Sequence, residues 1–160
     1  MPQMTEIWQG VVTHLHRAPR ASRQMEPAER LTLIAGVGVK GDRYATGKGY
    51  YSHLPEPGRQ ITLFEIETLK ALERDHDTVL LPDEHRRNVT VRGVALNHLV
   101  GRRFRLGETL LEATRLSTPC RHIEEVTGKT ISRWLIHRCG LNCMILDGGE
   151  VRIGDIVGPE

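Results

Sequence analysis

The chain has 160 residues, and its 22 lysines and arginines against 20 aspartates and glutamates give a formal net charge of +2. This length predicts a single domain, residues 1–160, with a core that needs no disulfide staples. The near balance of charge excludes a strongly basic nucleic-acid coat, and an aromatic content of 4% argues against a platform on which single-stranded bases stack.

The cysteines and the N-terminus together predict a reducing, cytoplasmic setting. The first residues carry neither the basic flank nor the apolar run of a signal peptide, and no segment approaches the roughly 20 apolar residues of a membrane helix. The cysteines are Cys120, Cys139 and Cys143, an odd number that argues against a secreted disulfide framework. One of them is therefore available for thiol chemistry or for ligation of a soft metal.

Strand patterns dominate the N-terminal half of the chain, at residues 7–15, 31–34 and 60–63. Between the first two, residues 18–30 form a polar connector with two prolines. Residues 36–58 carry six glycines and predict a long loop, and loops of this length are usually functional or disordered.

The clearest helix spans residues 65–74, because Ile66, Leu69 and Leu72 recur there at helical spacing. The other predicted elements follow in chain order: a strand at 88–92, strands at 101–106 and 109–116 that turn at 107–108, a helix that opens at Ser117 or Thr118 and stops at Gly128, a short helix at 131–135, and a hairpin of 143–146 with 150–153 around Asp147-Gly148-Gly149. About eight strands joined mostly by turns predict a mainly β (α+β) fold, an antiparallel barrel-like core with two or three peripheral helices.

Two motifs resemble known sites and fail on inspection. Gly36 to Gly41 matches G-x-G-x-x-G after a strand, but the residues that follow are poor helix formers, so a glycine-rich turn is the better interpretation than a dinucleotide site. Cys139 and Cys143 with His122 and His137 can be drawn as a zinc site. Cys143 lies in an apolar strand, however, which favours a buried structural thiol.

Cys120 differs from the other cysteines because it follows Thr118-Pro119, in the expected first turn of a helix. Free backbone N–H groups and the helix dipole stabilise a thiolate at such a position, and Arg121 and His122 add positive charge. A partly buried cysteine without chemistry is an equally good interpretation of this local sequence.

Two basic segments are candidates for anion binding. Arg86-Arg87-Asn88 precedes a strand, and the forked guanidinium of arginine matches phosphate oxygens. The segment Gly41-Asp42-Arg43-Tyr44, with Arg59 downstream, bounds the glycine-rich loop. Solvated arginines, and a surface loop held by an Asp–Arg pair, are the alternatives.

The order and spacing of several motifs resemble the MOSC domain, named after the C-terminal domain of molybdenum cofactor sulfurase. The resemblance runs from about Ile7 to Val157 and rests on these segments: 40–44, 59–63, 87–93, 96–101, Thr118-Pro119-Cys120 and 148–155. It implies a β-rich, barrel-like fold with one functional cysteine, here Cys120. Many relatives have Gly-Glu-Asn where this chain has Arg86-Arg87-Asn88, so Asn88 is the residue of this segment that carries over.

The resemblance also implies a function. Cys120 would ligate the molybdenum of a molybdopterin cofactor, and the protein would be an oxidoreductase that reduces N-hydroxylated small molecules with electrons from a separate reductase. The cofactor would be held by Asn88 and, through its phosphate, by the arginines Arg43, Arg59, Arg87 and Arg138. Pyridoxal phosphate binding is a further association at the level of the family.

Two alternatives remain at this stage. Cys120 could carry sulfur as a persulfide for transfer, without molybdenum. Or the protein could be a binding module without chemistry, a barrel whose basic loop captures an anionic ligand, with nucleic acid disfavoured by the nearly neutral charge.

Overall fold

The computed structural model describes residues 5–160, and strands form most of its regular structure. The strands are β1 (Gly10–Arg17), β2 (Glu26–Ala28), β3 (Arg30–Ile34), β4 (Gly38–Val39), β5 (Ile61–Glu65), β6 (Val89–Arg92), β7 (Arg103–Leu106), β8 (Thr109–Leu116), β9 (Leu141–Asp147), β10 (Gly149–Arg152) and β11 (Ile156–Pro159). The helices are α1 (Ile66–His76) and α2 (Arg121–Thr127), with 3-10 helices at Leu96–Leu99 and Ser132–Leu135. The mainly β fold predicted from the sequence is confirmed.

Seven strands close into a barrel in the order β11-β7-β8-β9-β5-β6-β1, because β1 also pairs with β11 through Gly10 opposite Val157. All neighbours in the barrel are antiparallel except β5 and β6, which run parallel. Parallel neighbours need a crossover connection, and the chain between them contains α1. β2 extends the sheet beyond β1, and β10, β3 and β4 form a separate three-stranded sheet.

The sequence predicts a hairpin around Asp147-Gly148-Gly149, and this prediction is wrong. β10 pairs with β3 instead of β9, with Val151 opposite Leu31. At the junction the chain passes so close to β3 that a Cβ on Gly148 would lie 2.4 Å from the carbonyl oxygen of Leu33. The Gly-Gly sequence therefore marks the point where this segment passes close to the backbone of β3.

Other boundaries also differ from the sequence prediction. The first strand begins at Gly10 rather than residue 7, and the polar connector contains β2, which pairs with β1. The G-x-G-x-x-G segment begins in the turn between β3 and β4 and contains β4 itself, with Gly38 opposite Ile34. No helix follows it, as the glycine-turn interpretation predicted.

Two apolar clusters hold the fold together. The first fills the barrel and includes Cys143, and the second lies outside it, where α1, α2 and the 132–135 helix pack around Phe64 and Cys139. The two helices thus cover one side of the barrel, as peripheral helices were expected to do. Within the described residues, no helix combines the length and the apolar character that crossing a membrane requires.

Candidate active site

A cavity of about 310 Å³ opens where the glycine-rich loop meets the segments before β6, after β8 and at the start of β9. Its lining is rich in arginine, tyrosine and histidine: Arg43, Tyr44, Tyr50, Tyr51, Leu54, Arg59, Thr62, His85, Arg86, Arg87, Arg115, Ser117, Thr118, Cys120, His122, Ile123 and Asn142. Five arginines and no aspartate or glutamate line it, although the whole chain is nearly neutral. The cavity therefore suits an anionic ligand.

Cys120 lies half-buried in the cavity wall, at a different helix position from the one expected. α2 begins at Arg121, so Cys120 is the N-cap residue with φ −138° and ψ 164°, and its side chain makes no capping hydrogen bond. The prediction of a helix from Ser117 or Thr118 was wrong because proline favours extended backbone in the residue before it, and Ser117 still donates its N–H to the carbonyl of Gly140 at 2.8 Å. α2 has only seven residues, so its dipole is a weak source of thiolate stabilisation.

An aromatic wall stands beside Cys120. The ring of Tyr50 stacks on His122 at 4.0 Å and meets Tyr51 edge-on at 4.8 Å. Burial and, second, a hydrogen bond with the Cys120 side chain raise the pKa of the Tyr51 phenol, which therefore keeps its proton at neutral pH. All three tyrosines of the chain line this cavity, so a low aromatic content conceals a local concentration.

Arg43 extends from the glycine-rich loop to the cavity, and hydrogen bonds within the protein fix its guanidinium. Its Nη1 donates to the carboxylate of Asp42 at 3.0 Å, and its Nη2 donates to the carbonyl of Arg86 at 3.0 Å. Asp42 also accepts hydrogen bonds from the backbone N–H groups of Ala18 at 3.1 Å and Tyr44 at 3.3 Å. The Asp–Arg pair weighed as a surface feature is instead fully buried.

Arg59 and Arg115 meet at the carboxylate of Glu56, which does not itself line the cavity. Arg115 Nε donates to Glu56 Oε1 at 2.8 Å, and Arg59 Nη2 lies 3.8 Å from Oε2. Arg59 also lies over the ring of Tyr51, with 4.9 Å between its Cζ and the ring centroid. This contact places one predicted arginine against the aromatic wall beside Cys120.

Of the three remaining predicted site residues, one lines the cavity and two do not. Arg87 lines the cavity and donates from Nε to the carbonyl of Cys139 at 3.0 Å. Asn88 is buried in the barrel, where its Oδ1 accepts from the Thr62 N–H at 3.1 Å and its Nδ2 donates to the carbonyl of His16 at 3.3 Å. It does not line the cavity but positions Thr62, which does. Arg138 lies outside the cavity, with its Nε on the carbonyl of Trp134 at 2.7 Å.

The sequence prediction left two cavity arginines, Arg86 and Arg115, out of its site. Arg86 is 5% exposed, and burial first, then Arg43, lower the pKa of its guanidinium to about 10. Its backbone has a φ of 69°, in the left-handed region that favours glycine. The Gly-Glu-Asn pattern of many relatives at 86–88 was the available signal, because it indicates a glycine conformation at position 86.

The cysteines of the supposed zinc site lie in different environments. Cys143 faces the barrel core, where burial raises the pKa of its thiol, and Cys139 packs in the outer cluster. Among residues 5–160, no group of three or more histidine, cysteine or acidic side chains is arranged to hold a metal ion. The interpretation of Cys143 as a buried structural thiol agrees with its position.

Buried histidines make stability depend on pH. Burial lowers the pKa of His16, His85 and His122, so the unfolded chain binds more protons than the native one below about pH 6.5. Burial raises the pKa of Glu65 to about 7, which opposes this effect because its contribution is lost as pH rises through 7. His85, the most deeply buried, differs by about one proton between the two states and so offsets Glu65, and His16 and His122 tip the balance. We therefore expect the free energy of unfolding to rise between about pH 5 and 6.5.

Urea unfolding at several pH values measures this slope, and Glu65→Gln is its internal control, because removing the opposing carboxyl should make the slope steeper. A free energy of unfolding that stays constant or falls over the same pH range would contradict the assignment of neutral, buried histidines.

Comparison with known proteins identifies the family. A family model described as the MOSC domain matches residues 50–158, more than half of the chain. The chain belongs to the MOSC domain family. The matched region holds most of the cavity lining, including Cys120, whereas Arg43 and Tyr44 precede it. The resemblance drawn from the motifs is confirmed.

Solved structures share the fold of this MOSC protein. The YuaD protein from Bacillus subtilis superposes with a TM-score of 0.76 at 21% identity, over 94% of this chain and 97% of that one. YiiM from Escherichia coli gives 0.68 at 15% identity over 94% of this chain and 69% of that one. YiiM from Geobacillus stearothermophilus gives 0.66 at 12% over 94% and 73%. No curated protein matches the chain by sequence.

Proposed function

We propose that this MOSC protein binds a molybdenum cofactor in the arginine-lined cavity, with the Cys120 thiolate as metal ligand, and reduces N-hydroxylated small molecules. A separate reductase would supply the electrons, and a reducing, cytoplasmic setting would keep the thiol free. One observation carries the proposal: the single cysteine on the cavity wall shares that wall with five arginines, and two of them, Arg86 and Arg87, make no ion pair with a described acid. The family is associated with the molybdenum cofactor, which agrees with this donor set.

The residues present fit such a cofactor. Molybdopterin bears a phosphate and a polar heterocycle, and the cavity offers guanidinium donors for the first and the side chains of Thr62, Ser117 and Asn142 for the second. A thiolate is the soft donor that a metal with sulfur ligands accepts. The lining contains no lysine to form a Schiff base, so the proposal does not extend to pyridoxal phosphate.

In the proposed reaction an N–OH group, two electrons and two protons give N–H and water. When bound, the molybdenum cofactor would supply the two-electron chemistry that removes the oxygen. Cys120 would hold the metal end, and Arg43, Arg59 and Arg87 would bind negative charge around it. Tyr51 keeps a phenolic proton beside Cys120, and the stacked rings of Tyr50 and His122 form part of the cavity wall.

We expect Cys120→Ala to abolish retention of molybdenum. The protein is purified from a host that makes the cofactor, and molybdenum and pterin are measured per mole of protein, together with reduction of an N-hydroxylated purine. Cys139→Ser is the matched control, because Cys139 does not line the cavity. In the wild type, Arg87 Nη2 lies 3.4 Å from the Cys139 sulfur, and the serine hydroxyl would still offer it an acceptor. Equal molybdenum in Cys120→Ala and wild type would contradict the proposal.

The same material distinguishes the alternatives. A mass increase of one sulfur atom on Cys120 after incubation with a desulfurase, without bound molybdenum, indicates a sulfur carrier. This alternative draws on the half-buried position of the thiol beside the Tyr51 phenol. Anion binding that salt abolishes and Cys120→Ala leaves unchanged, with no activity, indicates a binding module.

A further inference from the structure

One guanidinium in the described chain combines near-complete burial with unused hydrogen-bond donors. Arg86 donates from Nη1 to the carbonyl of Arg23, and its Nε and Nη2 are buried without an acceptor. These two N–H groups form one edge of the guanidinium. Arg74 uses the same edge to hold both carboxylate oxygens of Asp75, at 2.6 and 2.8 Å. Arg86 therefore presents a two-pronged donor set that lacks its partner.

The charges around Arg86 leave it without an acceptor from the protein. The negative charge of Asp42 raises the pKa of Arg86, but the Asp42 carboxylate accepts its hydrogen bond from Arg43. Arg86 also borders a second pocket, of about 380 Å³, together with Asp83 and Glu84. Glu84 is paired with Lys129 at 2.8 Å, and no ion pair joins Asp83 to Arg86. The positive charges of Arg43 and Arg87 lower the pKa of Arg86, and both of these arginines line the main cavity.

We propose that Arg86 anchors an oxyanion, the phosphate or carboxylate of a small ligand, through Nε and Nη2 in the main cavity. A buried charge with unpaired donors is unfavourable, and so is a side chain at a φ of 69°. A bidentate oxyanion would offset these costs and would also neutralise part of the cluster formed with Arg43 and Arg87. Both nitrogens are buried, so binding includes a small movement of the side chains in front of them. The inference goes beyond the proposed function and does not depend on Cys120.

The test uses inorganic phosphate and cofactor-free protein, made in a host without cofactor synthesis, at constant ionic strength. Calorimetry and thermal melting should show saturable binding to wild type. Arg86→Gly, which suits the left-handed backbone and so should still fold, should bind phosphate at least about tenfold more weakly, since a charged bidentate pair is lost. Arg86→Lys keeps the charge without the fork and should also bind weakly.

Arg103→Gln is the control, because it removes the same charge from an exposed position outside the cavity and should leave binding unchanged. Equal phosphate binding by Arg86→Gly and wild type, or an equal loss in Arg103→Gln, overturns the proposal. Because phosphate binding is measured on cofactor-free protein, failure of the molybdenum proposal would not imply failure of this one.

A second arm identifies the source of the oxyanion. If cofactor-loaded protein no longer binds phosphate and Arg86→Gly loads less pterin, the cofactor's own phosphate occupies Arg86. If loaded wild-type protein still binds phosphate and loaded Arg86→Gly does not, the anchored group belongs to a substrate with a phosphate or carboxylate. Either result supports the site. Loaded Arg86→Gly that binds phosphate as loaded wild type does, with unchanged pterin content, overturns it.

Discussion

Asp42→Ala is expected to lower the free energy of unfolding by about 3–5 kcal/mol, because it leaves the buried guanidinium of Arg43 without its counter-charge. The backbone N–H groups of Ala18 and Tyr44 lose their acceptor at the same time. A loss of this size lowers the melting temperature of a domain of this length by roughly 10 °C. Urea unfolding followed by circular dichroism measures the difference.

Asp75→Ala is the matched control for this prediction. Asp75 also pairs with the neighbouring arginine, Arg74, but on the exposed surface, where water and salt screen the pair, so its loss should change stability far less than Asp42→Ala does. Adding Arg43→Met to Asp42→Ala should recover part of the lost stability, since it removes the unpaired charge. Equal destabilisation by Asp42→Ala and Asp75→Ala would contradict the assignment of a buried, structural ion pair.

Asn88→Ala is expected to lower the free energy of unfolding by about 2–4 kcal/mol. Asn88 joins three parts of the barrel, because its side chain binds the N–H and hydroxyl of Thr62 and the carbonyl of His16. Removing it takes a partner from the buried N–H of Thr62 and carbonyl of His16, at about 1–3 kcal/mol for each unsatisfied group, reduced where the site relaxes. The Thr62 hydroxyl still accepts the backbone N–H of residue 88. Thermal and urea unfolding of the cofactor-free protein test this expectation directly.

Asn97→Ala serves as its control, because Asn97 also donates to a backbone carbonyl, that of His137 at 2.7 Å, but is exposed to solvent. We expect less than about 1 kcal/mol for that change. If Asn88→Ala proved as mild as Asn97→Ala in the cofactor-free protein, Asn88 would not be a structural link of the barrel, and its predicted contact with the cofactor would be the better interpretation.

The motifs predicted the composition of the site more completely than its geometry. Cys120, Arg43, Arg59 and Arg87 line one cavity although they come from distant parts of the sequence. Asn88 and Arg138 were chosen by the same reasoning, and neither lines it. A motif records that a residue matters near a site, whereas direct contact with a ligand depends on which face of a strand or turn the side chain occupies.

Arg86 shows the opposite case. Its residue type was visible beside Arg87, but its burial and its two unpaired donors depend on the carbonyl of Arg23 and on the neighbouring guanidinium of Arg43. Both residues lie at least about forty positions away in the sequence. The environment of a buried charge is set by such distant contacts, which no local pattern contains.

The amino-acid sequence by itself determined the mainly β character, the principal helix α1, the family and the distinct status of Cys120. These features arise from periodicity, residue type and motif order, which are local properties of the chain. Only the tertiary structure decided that β11 closes the barrel against β1, that β10 pairs with β3 and not with β9, and that all three tyrosines line the same cavity as Cys120. Strand pairing and cavity lining depend on contacts between residues far apart in the chain, and the free energy of those contacts is settled only when the whole fold has formed.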